Sequence, residues 1–543
     1  MTRLLTSTAL VLAPLSFAFP AFANCDDLSP GNNDTVTCTV AGGPENGFID
    51  DNSDNITINI EPGAVFNNTD ADETAIKMRD PGHTINVGVG ATLSSAAKVA
   101  EVGDGTTIDN QGTITSAAGE DAIQGETRDE LPVDGEDERV PAVNITLING
   151  SATNTAANIT AGNDAIQAGD GLTVTNYGSI NAEGDVVKGE EIIPDGTGFE
   201  FDGADGVTVN NYGTMIGDKG INVDDGEDFS LTNRGRIEGT DKTVEAGDRA
   251  SVINEASGII KSTNDEGVEL DDDAFVNNAG TIEGFDDALQ VGERATILNS
   301  GRIENTQGPA DIVGSIEAQD AIDIDSGDIT NTATGVIKST TNAAIDFDPS
   351  DVAVSTITNY GEIEGTIAIE TDVDNDKSQH IENFGTITGT SGLAMNLGGG
   401  DDSYVHHTGG ILNGGADFGA GEDTFTFADD FFVYYAADFG GVIDGGDDTD
   451  TMDFAISSTY VTSALLFGDT LSLQIVEYLG TPVSNLMIRS WENLKFSDGT
   501  FTAAQLSDQL APIPLPASMV LLGGALGGLG LMRRRKRRAV QTG

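Results

Sequence analysis

A short motif, Asn-x-Gly-x-Ile, recurs along most of the chain and constrains the fold more than any other feature. Complete copies occupy residues 110–114, 176–180, 233–237, 278–282, 299–303, 359–363 and 383–387. From residue 213 onward the motif glycines follow one another at steps of 21 to 26 residues, apart from one step of 34. A regular period of this size is typical of a β-solenoid, in which each repeat forms one coil.

The residue types within the repeat fit such a coil. Segments such as Leu172–Thr175 alternate apolar and polar residues, as half-buried strands do. The motif Asn tolerates a left-handed backbone and can stack on its copy one coil away, and the motif Gly can supply the positive φ of a turn. The interval from Gly112 to Gly178 is 66 residues, which predicts three coils of 22, the middle ones degenerate.

We therefore predict an all-β fold: a single-chain parallel β-helix with coils of about 22 residues over residues 55–430. Coils stacked about 4.8 Å apart would give roughly 15 coils and a rod of order 70 Å. The repeated coils resemble autotransporter passenger domains and filamentous-haemagglutinin-like β-helices, which lie outside the cell. In this chain a different kind of tail takes the place of the autotransporter's membrane barrel.

The N-terminus has the pattern of a secretory signal peptide. Arg3 supplies positive charge, an apolar stretch follows, and Ala21-Phe22-Ala23 gives the small-x-small cleavage site, so residues 1–23 are predicted to be removed on export. Two cysteines, Cys25 and Cys38, follow closely. In an exported chain such a pair favours a disulfide, which we assign to an N-terminal cap over residues 24–54.

The C-terminal residues 511–543 combine three features in a set order. A proline-rich spacer precedes an apolar, Gly-rich segment over residues 517–532, and a basic cluster follows at once. Positive charge in that place holds the end of the tail in the cytoplasm. The tail resembles the VPLPA-CTERM variant of the PEP-CTERM sorting signals, which exosortase-type membrane proteases read. That resemblance implies such a protease as partner and a sorting signal at Pro514, Leu515, Pro516, Ala517, Arg533, Arg534, Arg535, Lys536, Arg537 and Arg538.

The chain is strongly acidic, with 89 Asp and Glu against 25 Lys and Arg. Seven of the basic residues lie in the two terminal segments, so 18 remain in the body. Such a body repels nucleic acid and anionic lipid. We therefore expect no nucleic-acid partner, and membrane contact only through the tail.

Three acidic glycine turns near residue 400 resemble the haemolysin-type calcium repeat. Calcium takes six to eight oxygen ligands, which carbonyls and Asp carboxylates supply together. The resemblance implies calcium as cofactor, although the Asp residues are 21 and 27 apart and haemolysin-type arrays repeat every nine. The alternative is an acidic turn at a solenoid corner without an ion. The implied ligand set is Gly398, Gly400, Asp402, Gly419, Gly421, Asp423, Gly446, Asp448 (where Gly is expected) and Asp450.

Residues 431–510 differ in character from the repeats. Phe431–Tyr435 is rich in aromatic residues, and the period of the coils is lost. The segment Glu492–Thr500 resembles the end of calcium-repeat modules. We predict a β-rich cap that covers the edge strands of the last coil.

These features favour an exported structural or adhesive protein over an enzyme. An adhesin, a biofilm-matrix component and a surface-layer element all fit, and exopolysaccharide is a possible partner. The alternative is a polysaccharide lyase or hydrolase, because parallel β-helices also form such enzymes. Lyases acting on polyuronates need basic residues, which are few here. Gly284-Phe285-Asp286-Asp287 comes nearest to a pectinase-type cluster but lacks basic partners, and the pair His406-His407 is a weaker candidate for a transition metal.

Overall fold

The structure is a computed structural model that describes residues 24–40, 49–50, 52–130, 139–195, 198–312, 318–352, 354–372, 375–428, 439–476 and 482–510. These residues form a parallel β-solenoid of about 15 turns, which confirms the predicted fold class. A typical coil has three short strands, and each strand pairs in parallel with the strand one coil before it and one coil after it. The rod therefore has three faces.

Face 1 includes the strands that end at the motif Asn, together with the strands that stack above and below them in the same sheet. Its strands are Thr35–Thr39, Thr57–Ile60, Thr84–Val87, Thr107–Asn110, Thr146–Asn149, Thr173–Asn176, Thr208–Asn211, Ser230–Asn233, Ser251–Asn254, Phe275–Asn278, Ala295–Asn299, Gly327–Asn331, Val354–Asn359, Ser378–Asn383, Ser403–His406, Thr424–Phe427, Thr451–Asp453 and Asn493–Phe496.

Face 2 follows the motif Gly. Its strands are Val65–Asn68, Thr92–Ser95, Thr113–Ala118, Asn158–Gly162, Ser179–Ala182, Thr214–Ile216, Arg236–Gly239, Ile259–Ser262, Thr281–Gly284, Arg302–Asn305, Val336–Lys338, Glu362–Gly365, Thr386–Asn396 and Ile411–Asp417, the last two of which continue onto face 3.

Face 3 closes the coil with strands that are mostly three residues long. They are Ile49–Asp50, Ile76–Met78, Ala100–Val102, Ile123–Glu130, Ile166–Ala168, Val187–Gly189, Ile221–Val223, Val244–Ala246, Val268–Leu270, Leu289–Val291, Ile322–Ile324, Ile345–Phe347, Ile369–Thr371, Val442–Asp444 and Pro482–Arg489.

The remaining elements lie in insertions or at the ends of the rod. They are the strands Asn24–Cys25, Arg139–Pro141, Glu191–Asp195, Gly198–Asp202, Val461–Phe467, Thr470–Val476 and Gly499–Phe501, the 3-10 helix Ser458–Tyr460 and the α-helix Ala503–Leu510.

The core lies inside the coils and is built by alternation. In Thr208–Asn211 the first and third residues are half-buried and the second and fourth are buried, and the same pattern repeats on most strands of face 1. The Ile of the motif starts this pattern on face 2, where Ile237, Ile282 and Ile303 are fully buried. Each such side chain stabilises the fold by roughly 1.5–3 kcal/mol through its removal from water.

The motif Asn residues form a continuous ladder inside the corner between faces 1 and 2. In each pair of neighbouring coils the Nδ2 of one Asn donates to the Oδ1 of the next at 2.7–2.9 Å. The same Nδ2 also donates to a backbone carbonyl of the next coil, for example from Asn278 to Arg302 at 3.0 Å. The eleven side chains, all fully buried, are those of Asn110, Asn149, Asn176, Asn211, Asn233, Asn254, Asn278, Asn299, Asn331, Asn359 and Asn383.

The motif Gly has a different role from the one predicted. Neither the Asn nor the Gly of these motifs has a positive φ. Instead, a Cβ on Gly235 would overlap the carbonyl oxygen of Gly213 one coil earlier, and Gly301 has the same relation to Gly280. The prediction of a left-handed turn at this position was therefore wrong. Glycine is required there because the backbones of successive coils approach too closely for any side chain.

At the corner between faces 1 and 2, left-handed glycines occur in coils without the complete motif, at Gly63, Gly90, Gly150 and Gly409. In many coils a left-handed residue lies at the corner that leads into face 1. Gly82, Gly105, Gly171 and Gly206 occupy this position in some coils, with φ between 65° and 85°. In other coils the position holds a non-glycine residue with φ of 58–63°, namely Asn33, Asn55, Asn144, Asp228, Arg249, Asp273 or Arg294. Short polar side chains tolerate this conformation best, and Arg249 and Arg294 show that the coil also imposes it on longer ones.

Coil length varies more than the sequence period indicated. Consecutive ladder residues are 21, 22 or 24 positions apart in the regular coils, but 39 apart between Asn110 and Asn149 and 27 apart between Asn149 and Asn176. The interval from Gly112 to Gly178 therefore contains two coils instead of the three predicted. The extra residues of the longer coil extend strand Ile123–Glu130 outward, where it pairs antiparallel with Arg139–Pro141.

Antiparallel strands cover both ends of the rod. At the N-terminal end Asn24–Cys25 pairs with Thr35–Thr39, and a disulfide joins Cys25 to Cys38. At the C-terminal end the parallel stacking continues past residue 430 as far as Asn493–Phe496, with coil steps of 27 and 42 residues. The antiparallel strand Gly499–Phe501 and the helix Ala503–Leu510 follow. These additions cover edge strands that would otherwise pair with other chains.

Candidate metal site

The three acidic glycine turns singled out in the sequence lie directly above one another at the corner before face 1. Asp402, Asp423 and Asp450 each immediately precede a strand of face 1, and those strands are in register. The equivalent residues in the flanking coils are Gln379 and Glu492. The structure thus brings the three predicted carboxylates into one column, called here the acidic column, with one carboxylate per coil.

Backbone amides hold each carboxylate of the acidic column in place. The N–H of Gln379 donates to Asp402 Oδ1 at 2.6 Å, that of Asp402 to Asp423 Oδ1 at 2.7 Å, and that of Asp423 to Asp450 Oδ1 at 2.9 Å. The N–H of Asp450 donates to Glu492 Oε2 at 3.0 Å. One oxygen of each Asp therefore joins two successive coils.

The glycines of the turns allow this stacking. Gly398, Gly419 and Gly446 are equivalent and have φ of 73°, 86° and 99°. A Cβ on Gly419 would overlap the carbonyl oxygen of Gly398, and a Cβ on Gly446 would overlap that of Gly419. Both the backbone conformation and the close approach of the coils therefore require glycine here.

The residue two positions after that first glycine also has a positive φ in each turn. Gly400 and Gly421 have φ of 106° and 146°, and Asp448 adopts 81° at the same position. A Cβ on Gly421 would overlap the carbonyl oxygen of Gly400. Asp448, where the sequence motif expects Gly, thus adopts the turn conformation despite its side chain, in the last of the three turns.

The other oxygen of each carboxylate in the acidic column is buried without a hydrogen-bond donor among the described residues. These atoms are the Oδ2 of Asp402, Asp423 and Asp450, whose side chains are at most 1% exposed. Burial is the main cause that raises the pKa of Asp402 to about 9 and those of Asp423 and Asp450 to about 7. Buried carboxylates of this kind are stable only if a proton or a cation neutralises them.

The donor set of the acidic column suits calcium chemically, because hard cations prefer carboxylate and carbonyl oxygens. The three carboxylates belong to successive coils, however, so they do not meet at one point. Among the described residues, three side-chain ligand atoms within 4.8 Å of one another occur at Asp265, Glu266 and Asp286, which lie between faces 2 and 3 and were not in the predicted set. An ion in the acidic column would thus need carboxylates from neighbouring turns together with backbone carbonyls.

The two histidines beside these turns have separate surroundings. His406 takes the position of the ladder Asn inside the coil, where it is fully buried and its Nδ1 lies 3.0 Å from the Tyr404 hydroxyl. Burial lowers its pKa to about 3. The ring of His407 stacks on Phe384 at 3.7 Å, at the corner of the rod. The inner and outer positions of the two rings do not favour a shared metal ion.

A second set of buried carboxylates was not recognised in the sequence. Asp121, Asp164, Asp287 and Asp320 occupy equivalent turns before face 3, and the exposure of each is 5–7%. The N–H of Asp320 donates to Asp287 Oδ1 at 2.7 Å, as does that of Asp164 to Asp121 Oδ1 at 3.2 Å. A repeated Asp-Ala-Ile or Asp-Ala-Leu triplet marks these turns in the sequence once the coils have been aligned.

No known protein family, curated protein or solved structure matches the chain. None of the helices in the described residues has the length and apolarity needed to cross a bilayer. The predicted signal peptide and sorting tail, residues 1–23 and 511–543, lie outside those residues.

Proposed function

We propose that this chain is an exported structural rod of the cell surface or extracellular matrix, with an adhesive or scaffolding role. The uninterrupted stack of coils is the observation that supports the proposal. Eleven consecutive Asn side chains, from Asn110 to Asn383, bond each coil to the next through the interior. Such a ladder makes an elongated body that presents long, regular surfaces to partners such as exopolysaccharide.

Location is the first test of this proposal. An internally tagged chain should be found outside the cytoplasm, starting at Asn24, and imaging should place it on cells or in the matrix. Full-length chain retained in the cytoplasm would contradict export. Cleavage of polysaccharides by the purified chain would contradict a purely structural role and favour the lyase or hydrolase alternative.

Sorting by an exosortase-type protease is the second part of the proposal. Its support is the order of spacer, apolar segment and basic cluster in the sequence. Proline keeps a site extended and non-helical, so Pro514→Ala with Pro516→Ala should leave insertion intact and slow cleavage. Neutral replacement of the basic cluster at 533–538 should disturb both orientation and cleavage. Surface protein that still ends at Gly543 in normal cells would refute processing.

Calcium stabilisation is the third part, and the buried Oδ2 atoms of the acidic column support it. Calcium should raise the melting temperature of the mature chain more than magnesium does, because magnesium demands a tighter octahedral shell. Asp402→Asn with Asp423→Asn should remove most of that difference. Asp376→Asn is the matched control, since that carboxylate is exposed and paired with Lys377 at 2.5 Å. Equal responses to the two ions would indicate only charge screening.

A further inference from the structure

One long stretch of face 1 carries no charge, although the chain as a whole is strongly acidic. It is formed by the seven consecutive strands from Thr146–Asn149 to Ala295–Asn299, which pair in register. Each strand turns two side chains outward, as Thr173–Asn176 does with Thr173 and Thr175. Of these fourteen residues eight are Ser or Thr, two are Asn, four are apolar and none is acidic or basic. We call this surface the neutral strip.

The surfaces around the neutral strip are charged. Its two ends are marked by Asp109 and Asp328, which are the outward register partners in the adjoining coils of face 1. In the same coils, the outward side of face 2 carries ion pairs such as Lys261 with Glu283 at 2.7 Å, and that of face 3 carries Glu245. An uncharged partner can therefore contact the strip without removing charged groups from water, which would be costly elsewhere on the rod.

The polar groups of the neutral strip are not used within the protein. In the described part of the chain, none of its ten hydroxyl and amide side chains forms a hydrogen bond with another residue. Elsewhere on face 1 outward side chains do bond across coils, as Asn86 Nδ2 does to Asn59 Oδ1 at 2.8 Å. Hydroxyl and amide groups both donate and accept, so the strip offers hydrogen bonds of either kind to a ligand.

Apolar and aromatic side chains lie among and beside these polar groups. Phe275 belongs to the neutral strip and is 38% exposed. Tyr212, at the corner between faces 1 and 2, is 36% exposed, and its ring stacks on that of Tyr177 at 4.7 Å. Aromatic side chains give rigid contact area at a low cost in conformational entropy. The surface is thus uncharged and combines hydroxyl groups with apolar contacts.

We propose that the neutral strip binds an uncharged polysaccharide that lies along the rod. The inference rests on the proposed surface role with exopolysaccharide as partner, and it specifies the binding surface and the class of polymer. Sugar hydroxyls would exchange hydrogen bonds with residues such as Thr208 and Ser230, while the C–H faces of the rings would pack on the apolar side chains. Coils spaced about 4.8 Å apart make the strip about 30 Å long, so many weak contacts can act together.

The test measures binding of the purified mature chain by native electrophoresis in gels that contain a polysaccharide. The uncharged polymers are dextran, hydroxyethyl cellulose and galactomannan, and the anionic comparison is alginate, a polyuronate. We expect at least one uncharged polymer to slow the migration of the chain, with an apparent Kd taken from the dependence on polymer concentration. Alginate should have no effect, because the acidic body repels it.

Two pairs of substitutions locate the binding surface. Thr208→Asp with Ser251→Asp places two carboxylates in the neutral strip and should weaken binding at least about tenfold, because these charges lose water under the polymer. Thr214→Asp with Thr281→Asp is the matched control, since both residues are half-buried, outward residues of face 2 in the same region of the rod. This control pair should retain the affinity of the parent.

A milder pair keeps the proposal testable if the added carboxylates disturb folding. Thr175→Val with Thr232→Val preserves the β-branched shape and removes two hydroxyl groups, so affinity should fall about fivefold or more. Thr214→Val with Thr281→Val on face 2 should leave affinity unchanged. Melting temperatures of all four variants show whether a loss of binding reflects a loss of folded chain.

Several outcomes would overturn the proposal. They are the absence of retardation by all three uncharged polymers, stronger retardation by alginate, and equal losses of affinity for the face 1 and face 2 pairs. A dimer in sedimentation that Thr208→Asp with Ser251→Asp dissociates, without polymer binding, would instead make the strip a contact between two copies of the chain. These results are separate from the location test, because retention of the chain in the cytoplasm would refute export and leave binding by the purified chain intact.

Discussion

The Asn ladder gives the sharpest prediction about stability. Asn278 is fully buried, and its Oδ1 accepts a hydrogen bond from Asn254 Nδ2 at 2.9 Å. Its Nδ2 donates to Asn299 Oδ1 at 2.9 Å and to the Arg302 carbonyl at 3.0 Å. Asn278→Ala removes all three hydrogen bonds. At about 1 kcal/mol net each, the free energy of unfolding should fall by about 3 kcal/mol.

Asn277 is the matched control because it is the preceding residue on the same strand and its side chain lies on the half-buried outer side. Asn277→Ala should change the free energy of unfolding by no more than about 0.5 kcal/mol. Urea denaturation followed by circular dichroism gives both values. Equal losses for the two variants would refute the assignment of stability to the ladder.

Hydrogen exchange adds a spatial test of the same reasoning. Each coil of a solenoid contacts only its neighbours, so faster exchange in Asn278→Ala should be confined to the adjacent coils between about residues 251 and 305. Asn278→Asp keeps the size of the side chain but replaces the donor with an ionisable oxygen. Its destabilisation should be larger at pH 7 than at pH 4, because burial opposes ionisation. Uniform exchange along the whole rod would contradict local coupling.

Three further predictions concern the corners. Gly235→Ala should lower the free energy of unfolding by at least about 2 kcal/mol more than Gly308→Ala, because only the Cβ on Gly235 would overlap a backbone atom. Between pH 3.8 and about 9 the folded chain keeps a proton on Asp402 that the unfolded chain loses. With a chelator present to remove metal ions, the free energy of unfolding should therefore fall as pH rises. Asp402→Asn should make the melting temperature depend less on pH over this range. Between pH 6.5 and about 3, His406 takes up a proton in the unfolded chain but stays neutral in the folded one. The free energy of unfolding should therefore fall as pH drops through this range, and His406→Phe should make that fall smaller in thermal melts.

Much of face 1 could be predicted from the sequence because one residue type, the ladder Asn, marks it in eleven consecutive coils. The spacing of Asn211, Asn233 and Asn254 reflects a buried hydrogen bond that must form at the same place in each coil. A position with such a requirement tolerates few substitutions, and its period is visible. The predicted coil count near 15 followed from that period and was confirmed.

The role of the motif Gly could not be predicted from one coil alone. Positive φ is a local property, whereas the overlap at Gly235 involves the carbonyl of Gly213, 22 positions earlier. The error in counting the coils between Gly112 and Gly178 has a similar origin. Insertions at a corner lengthen a coil without adding a strand to any face, so distance along the sequence does not measure height along the rod.

Face 3 was the least predictable part of the coil. Strands such as Leu289–Val291 and Ile322–Ile324 have only three residues, too few for a periodic pattern. Their turn residues Asp287 and Asp320 are 33 positions apart because of an insertion between faces 2 and 3. The Asp-Ala-Ile triplet is informative only after alignment of the coils has placed its copies at the same corner.

The acidity of the chain follows in part from its architecture. A carboxylate at a corner can accept an N–H from a neighbouring coil, as Asp402 does from Gln379 of the coil before it, and as Asp272 and Asp164 do from Glu293 and Asp185 of the coil after them. Stacking identical turns then places carboxylates one coil apart, where each raises the pKa of its neighbours. Basic partners such as Lys219 and Arg294 relieve this repulsion in some coils. The acidic column at Asp402, Asp423 and Asp450 lacks that relief, and for this reason we expect the stability of the rod to depend on cations there more than elsewhere along its length.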